Sequence, residues 1–268
     1  MEFSAFAKRA FAIAATILLM LGLGSTAKAK PPNVSRDLIT PGTLIVGSDI
    51  PYPPFEFGFA PGYDGFDIDL VDAMARKLRL KVKYVDTRFD SIFDDLRNGD
   101  FDLVASATTI TPERRRYVRF TKPNFDAQQS LVVVPGSAIR SLKDLSGTTV
   151  GAQDGTSGEA FARDNTRASQ VVTFPNGQAV IRALKKGKVD AVILDQVVVN
   201  FFKQRGQRGF KAVRNISIGE RYAYAVEKSS TRLLRGINWA FGKVRADGSF
   251  KRIYRKWFGI NPPPSLRR

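Results

Sequence analysis

One phrase occurs twice in this chain, and it narrows the available folds more than any other feature. Leu96-Arg97-Asn98-Gly99-Asp100-Phe101-Asp102-Leu103-Val104 is echoed by Leu184-Lys185-Lys186-Gly187-Lys188-Val189-Asp190-Ala191-Val192. Each reads as a helix end, a glycine turn and a buried strand. Residues 43–49 and 148–154 form a second echoing pair. Around them, apolar runs at 43–47, 80–85, 101–105, 131–134, 148–152, 171–174, 189–194 and 222–226 read as strands. Helical spacing of apolar residues falls at 66–75, 89–96, 159–164, 178–186, 196–202 and 233–257. This alternation predicts an α/β fold with mostly parallel sheets flanked by helices. The doubling predicts two similar lobes with a ligand cleft between them.

Composition removes many chemistries. The 268 residues include no cysteine and no histidine, which excludes disulfides, Cys or His nucleophiles, His bases and nearly every zinc or copper site. No metal or cofactor is expected. The net charge of +17 points towards anionic partners. Zinc-finger spacing, a basic region with heptads and an aromatic–basic RNA motif are all missing, so the charge reads as a solvated surface and nucleic acid is not an expected partner. At the N-terminus, Lys8 and Arg9 precede an apolar run at 10–23, and Ala27-Lys28-Ala29 has the small-x-small form. That predicts a signal peptide over 1–29, cleaved after Ala29, since the run is short for a membrane span. The product is expected to be soluble, exported to a bacterial periplasm, and monomeric.

In open α/β sheets, ligands bind beyond the carboxyl ends of strands. Those positions hold Asp49 and Tyr52, then Thr109 and Arg114, and in the second half Thr156, Ser157 and Asp195. The stretch from Ser106 to Arg114 reads as a strand end and a helix start, with Thr111 as N-cap and Pro112 in the first helical position. The helix dipole disfavours a cation in that first turn, so Arg114 is either an ordinary surface arginine or faces an anion. The collected set offers an arginine fork for a carboxylate, hydroxyls for its oxygens, a carboxylate for an ammonium and an aromatic face. It complements a zwitterion and contains no evident nucleophile–base pair.

Several phrases, in order, resemble one family. They are Gly47-Ser48-Asp49 with Tyr52-Pro53-Pro54-Phe55-Glu56-Phe57; Gly65-Phe66-Asp67-Ile68-Asp69-Leu70; Thr109-Ile110-Thr111-Pro112-Glu113-Arg114; and Gly155-Thr156. Val189-Asp190-Ala191-Val192, Ala246-Asp247-Gly248 and Ile253-Tyr254-Arg255-Lys256-Trp257-Phe258-Gly259 complete the set. The chain resembles the periplasmic solute-binding proteins of amino-acid ABC transporters, bacterial solute-binding protein family 3.

The resemblance implies a two-lobe clamshell of the type II periplasmic-binding-protein fold. After a leader at 30–41, lobe 1 would comprise 42–132 and 223–268 and lobe 2 residues 133–222, with hinge crossings near 131–134 and 220–224. It implies that Arg114 pairs with the ligand α-carboxylate, helped by Thr109 and by Thr156 or Ser157, that Asp195 receives the α-ammonium, and that Ser106 is a further ligand-binding residue. Tyr52 and Phe89 would sandwich the side chain, with Asp49 at its far end. Asp154 departs from a usually uncharged position; it either favours a cationic side chain or lies on the surface. Blander roles stand beside these: Tyr52 packing the proline loop, Phe89 in the core, Asp195 capping the helix at Gln196, Asp49 bonding nearby backbone.

The function implied is capture of a polar or basic L-amino acid and delivery to a membrane ABC permease, without catalysis. The alternative on the same fold is a periplasmic cyclohexadienyl dehydratase acting on prephenate or arogenate. Phe161-Ala162-Arg163-Asp164-Asn165 is mildly reminiscent of it, and Glu159 is its candidate acid.

Overall fold

The computed structural model describes residues 30–60 and 62–267; the expected signal peptide lies outside them. Among the described residues, no helix is long and apolar enough to cross a membrane.

The first stretch holds β1 (Thr43–Ser48), the hairpin β2 (Phe57–Phe59) and β3 (Gly62–Asp64), α1 (Phe66–Leu78), β4 (Lys81–Asp86), α2 (Ile92–Asn98), β5 (Leu103–Val104), β6 (Val118–Phe120) and β7 (Phe125–Asp126). The middle holds β8 (Gln129–Val133), β9 (Thr149–Gln153), α3 (Ser157–Asn165), β10 (Gln170–Phe174), α4 (Gly177–Lys185), β11 (Ala191–Asp195), α5 (Gln196–Gln204) and β12 (Lys211–Ile216). The chain closes with β13 (Arg221–Tyr222), β14 (Ala225–Glu227), α6 (Thr231–Ala246) and α7 (Ser249–Phe258).

Two five-stranded sheets result, ordered β4-β1-β5-β14-β6 and β10-β9-β11-β8-β12. In each, one strand (β14 or β8) runs against its neighbours while the rest run parallel to one another. The strand read over 101–105 has only two regular residues, yet Asp102 N–H bonds Ile45 O at 2.8 Å and Ala105 N–H bonds Gly47 O at 3.0 Å, which extends the pairing. The first crossing is not at 131–134. That segment lies inside β8, which is hydrogen-bonded to β11 and β12, so the chain changes sheets earlier. The two connecting segments pair with each other as β7 and β13.

The helix read over 233–257 is two helices. Gly248, at φ 77°, turns the chain between α6 and α7, a conformation that glycine adopts at little cost. This break lets α6 and α7 both pack on α1. Beneath them, Phe55, Phe66, Phe125, Tyr254 and Phe258 form an aromatic cluster, with ring centroids 4.7–6.3 Å apart. Phe55 is fully buried, and it anchors the proline loop that carries Tyr52 and Glu56. The carboxyl ends of β1 and β5 therefore face those of β9 and β11.

Candidate ligand-binding site

Between the sheets lies a narrow pocket with about 400 Å3 of empty space, part of it open to solvent. Tyr52, Phe89, Ser106, Thr109, Arg114, Thr156, Ser157 and Asp195 line it, together with Ala107, Gln129, Gln153 and Gly158. Asp49 and Asp154, also expected there, do not.

Thr111 is not the N-cap, a position that Glu113 takes, although its hydroxyl accepts from Arg114 N–H at 3.1 Å. The helix expected after it is a single 3-10 turn, Arg114–Arg116, because the chain enters β6 two residues later. So short a turn gives Arg114 no helix dipole to oppose. The side chain is nevertheless turned inward and only 6% exposed. Its Nη1 donates to Thr109 O and its Nη2 to Gly155 O, both at 2.9 Å. The guanidinium lies 4.8 Å from the Phe93 ring centre and 5.4 Å from that of Phe89. No ion pair among the described residues involves it, and burial lowers its pKa. A guanidinium has five N–H groups, so capacity remains for an anion in the pocket. The start of α3 faces the same space. Thr156 caps it, accepting from Glu159 N–H at 3.2 Å, and Ser157 Oγ meets Thr109 Oγ1 at 3.0 Å.

Asp195 occupies the N-cap position of α5 but makes no side-chain capping bond. It points into the cleft, where Tyr52 Oη donates to it at 2.5 Å and Gln129 Nε2 at 2.6 Å. Burial, reinforced by nearby Glu220, pushes its pKa up to about 6. Tyr52 therefore bonds across the cleft as well as presenting its ring. Asp195 and Arg114 come from opposite lobes and line one pocket.

At the far end, Gln153 Nε2 donates to Asp49 Oδ2 at 2.6 Å. Asp49 is 7% exposed and stands behind Gln153. Burial raises its pKa to about 7, against the bond from Gln153 and with help from Asp86 and Asp90. Asp154 lies past the end of β9, in the turn before α3, and does not line the pocket. It is half-buried, and its charge falls on Arg88. Gln153, not Asp154, is the residue this segment contributes.

Gln129 and Gln153 were missed by sequence reasoning. Each donates its amide to an aspartate, and each leaves a buried Oε1 with no donor. A glutamine at one end of a mostly apolar strand was the available signal. Glu159, the candidate acid of the dehydratase alternative, does not line the pocket. It accepts from Gly155 N–H at 2.9 Å and pairs with Arg163 at 2.8 Å.

The family model for bacterial extracellular solute-binding proteins, family 3, matches residues 44–260. A probable histidine-binding protein of Neisseria gonorrhoeae is 31% identical over 259 residues, 93% of this chain and 94% of its own. The lysine/arginine/ornithine-binding periplasmic protein of Escherichia coli K12 is 29% identical over 254 residues, 91% and 95% of the two chains. The solved structure of an ancestral arginine-binding protein bound to arginine is 40% identical and superposes with a TM-score of 0.76, covering 81% of this chain and 99% of that one.

Proposed function

This chain belongs to the bacterial extracellular solute-binding proteins of family 3, and from that membership we propose that it captures a cationic L-amino acid, arginine foremost, for an ABC permease. The observation that carries the reading is Arg114 and Asp195 buried on one pocket from opposite lobes. Arg114 binds the α-carboxylate with Thr109, Ser157 and the start of α3. Asp195 binds the α-ammonium. The two groups of one zwitterion then pull on both lobes, so the ligand stabilises the closed state by contacts available only there. The Asp49–Gln153 pair and the two carboxamide oxygens favour a donor-rich, positively charged side chain, between the rings of Tyr52 and Phe89. The names of the relatives support the same class of ligand. Location in the periplasm follows from the family; a leader ending at Ala29 and a monomeric state complete the proposal.

The test is a set of melting curves on protein unfolded and refolded to strip bound solute, with millimolar amino acids, prephenate and arogenate. For a micromolar ligand this excess adds about 4 kcal/mol, or roughly 8–16 °C at this size. The expected outcome is a large shift with arginine and smaller ones with other cationic amino acids. Consumption of prephenate or arogenate, with no amino-acid shift, would make the protein the dehydratase.

A further inference from the structure

Two of the phrases singled out in the sequence, the proline loop and the start of α1, bring together two carboxyl groups that ligand capture does not use. Glu56 and Asp67 are 0% and 2% exposed. Glu56 Oε1 accepts from Ser106 Oγ at 2.8 Å, and the Ser106 hydroxyl in turn accepts from Asp49 N–H at 3.0 Å. Asp67 Oδ2 accepts from Ala107 N–H at 3.0 Å, and Oδ1 from Tyr224 Oη at 2.9 Å. Neither carboxyl takes part in an ion pair among the described residues.

The bonds are unevenly shared. Both oxygens of Asp67 have donors, whereas Glu56 Oε2 is buried with none. A buried carboxylate oxygen without a donor is costly. Two carboxylates this close in a buried site cannot both ionise. Asp67 N–H bonds Phe55 O at 2.9 Å, and the two carboxyls hold the adjacent residues Ser106 and Ala107. That places them side by side, and both problems are resolved when Oε2 carries a proton. Asp67 is the better anion, because it accepts two protein donors and lies in the first turn of α1, where the helix dipole favours negative charge.

We propose that Glu56 and Asp67 hold one proton between them, with Glu56 Oε2–H donating to Asp67, and that the pair positions the 106–109 segment that meets the ligand. The positioning half of this proposal rests on the carboxylate role assigned to that segment above. Ser106 and Ala107 both line the pocket. Ala107 sits at φ 44°, a conformation that non-glycine residues rarely adopt, and the Asp67 acceptor holds its N–H there. Burial acts in the same sense, raising Glu56 far above the usual carboxylate range and Asp67 to about 6.

The experiment compares Glu56→Gln, Glu56→Ala and Asp67→Asn by melting, arginine titration and infrared spectroscopy. Glutamine keeps an oxygen for Ser106 and supplies an N–H to Asp67 in place of the proton. Glu56→Gln is therefore expected to melt within about 3 °C of the wild type, to bind arginine within about threefold of it, and to lose the C=O band of a protonated carboxyl. Asp67→Asn, whose amide cannot accept from both Ala107 and Tyr224, and Glu56→Ala are expected to bind at least about tenfold more weakly than Glu56→Gln. An unchanged infrared band in Glu56→Gln, or losses equal to those of Glu56→Ala, would overturn the proposal. Infrared reads the unliganded protein, so a wild type that binds no amino acid would remove the role of the 106–109 segment and leave the shared proton standing.

Discussion

Arg114 was legible as a cation turned towards a pocket, but for a reason that does not hold. The helix dipole invoked for it belongs to a helix that is one 3-10 turn long; the aim of the side chain comes from the Thr109 and Gly155 carbonyls and the Phe89 and Phe93 rings instead. Such partners join residues far apart in sequence, and no local pattern encodes them. Arg114→Ala is expected to weaken arginine binding by about 100-fold or more, in line with the 2–5 kcal/mol of a truncated buried charge pair. Melting of the unliganded variant should change little, and calorimetry checks both. Asp195→Asn should weaken amino acids far more than their deaminated analogues; equal losses in a competition assay would remove its ammonium role. Gln129 and Gln153 escaped notice because carboxamides carry no charge and no motif. Their importance appears only when Asp195 and Asp49 are found beside them.

At the scale of elements, strands and helices were mostly legible, because buried runs and helical spacing survive in a two-lobe α/β chain. Two misreadings concern where an element ends. Gly248 divides the final helix, and β8 joins the second sheet in full. One tight turn before α3 lies close against the opposite lobe. Gly155 has φ 71°, and a Cβ placed there would come within 2.9 Å of Asp90 Cα on the opposite lobe. Gly155→Ala should therefore obstruct closure, lowering arginine affinity by at least about tenfold with a smaller effect on melting of the unliganded protein. An affinity equal to wild type would show that the turn yields. Gly47→Ala is the contrasting case. Its Cβ would meet the Phe101 ring at 2.5 Å inside lobe 1, so the expected effect is about 1–3 kcal/mol of lost stability, read by denaturant unfolding, with affinity nearly kept.

For the whole molecule, the repeated phrases disclosed two lobes, but not how they meet. The bonds from Tyr52 to Asp195, Gln153 to Asp49 and Arg114 to Gly155 cross the cleft and exist only when the lobes approach. They also make the cleft sensitive to pH. Asp195 and Asp49 have pKa values raised to about 6 and about 7, so the folded protein holds protons that the unfolded chain has released. Their contribution to unliganded stability therefore declines as pH rises from about 4 to about 7. A cationic ligand needs these groups ionised. Arginine affinity should rise between about pH 5 and pH 8, with protons released on binding below about pH 7; titrations in buffers of different ionisation enthalpy read this release. Both charged ends of one zwitterion are held to draw the lobes together. Calorimetric titration of the stripped protein tests this most directly, with L-arginine, with arginine lacking its carboxylate, and with arginine lacking its α-amino group. Arginine should bind at micromolar concentration or tighter, and each truncated ligand about 100-fold more weakly. Equal affinity for arginine and either truncated ligand would contradict a closure driven by both ends.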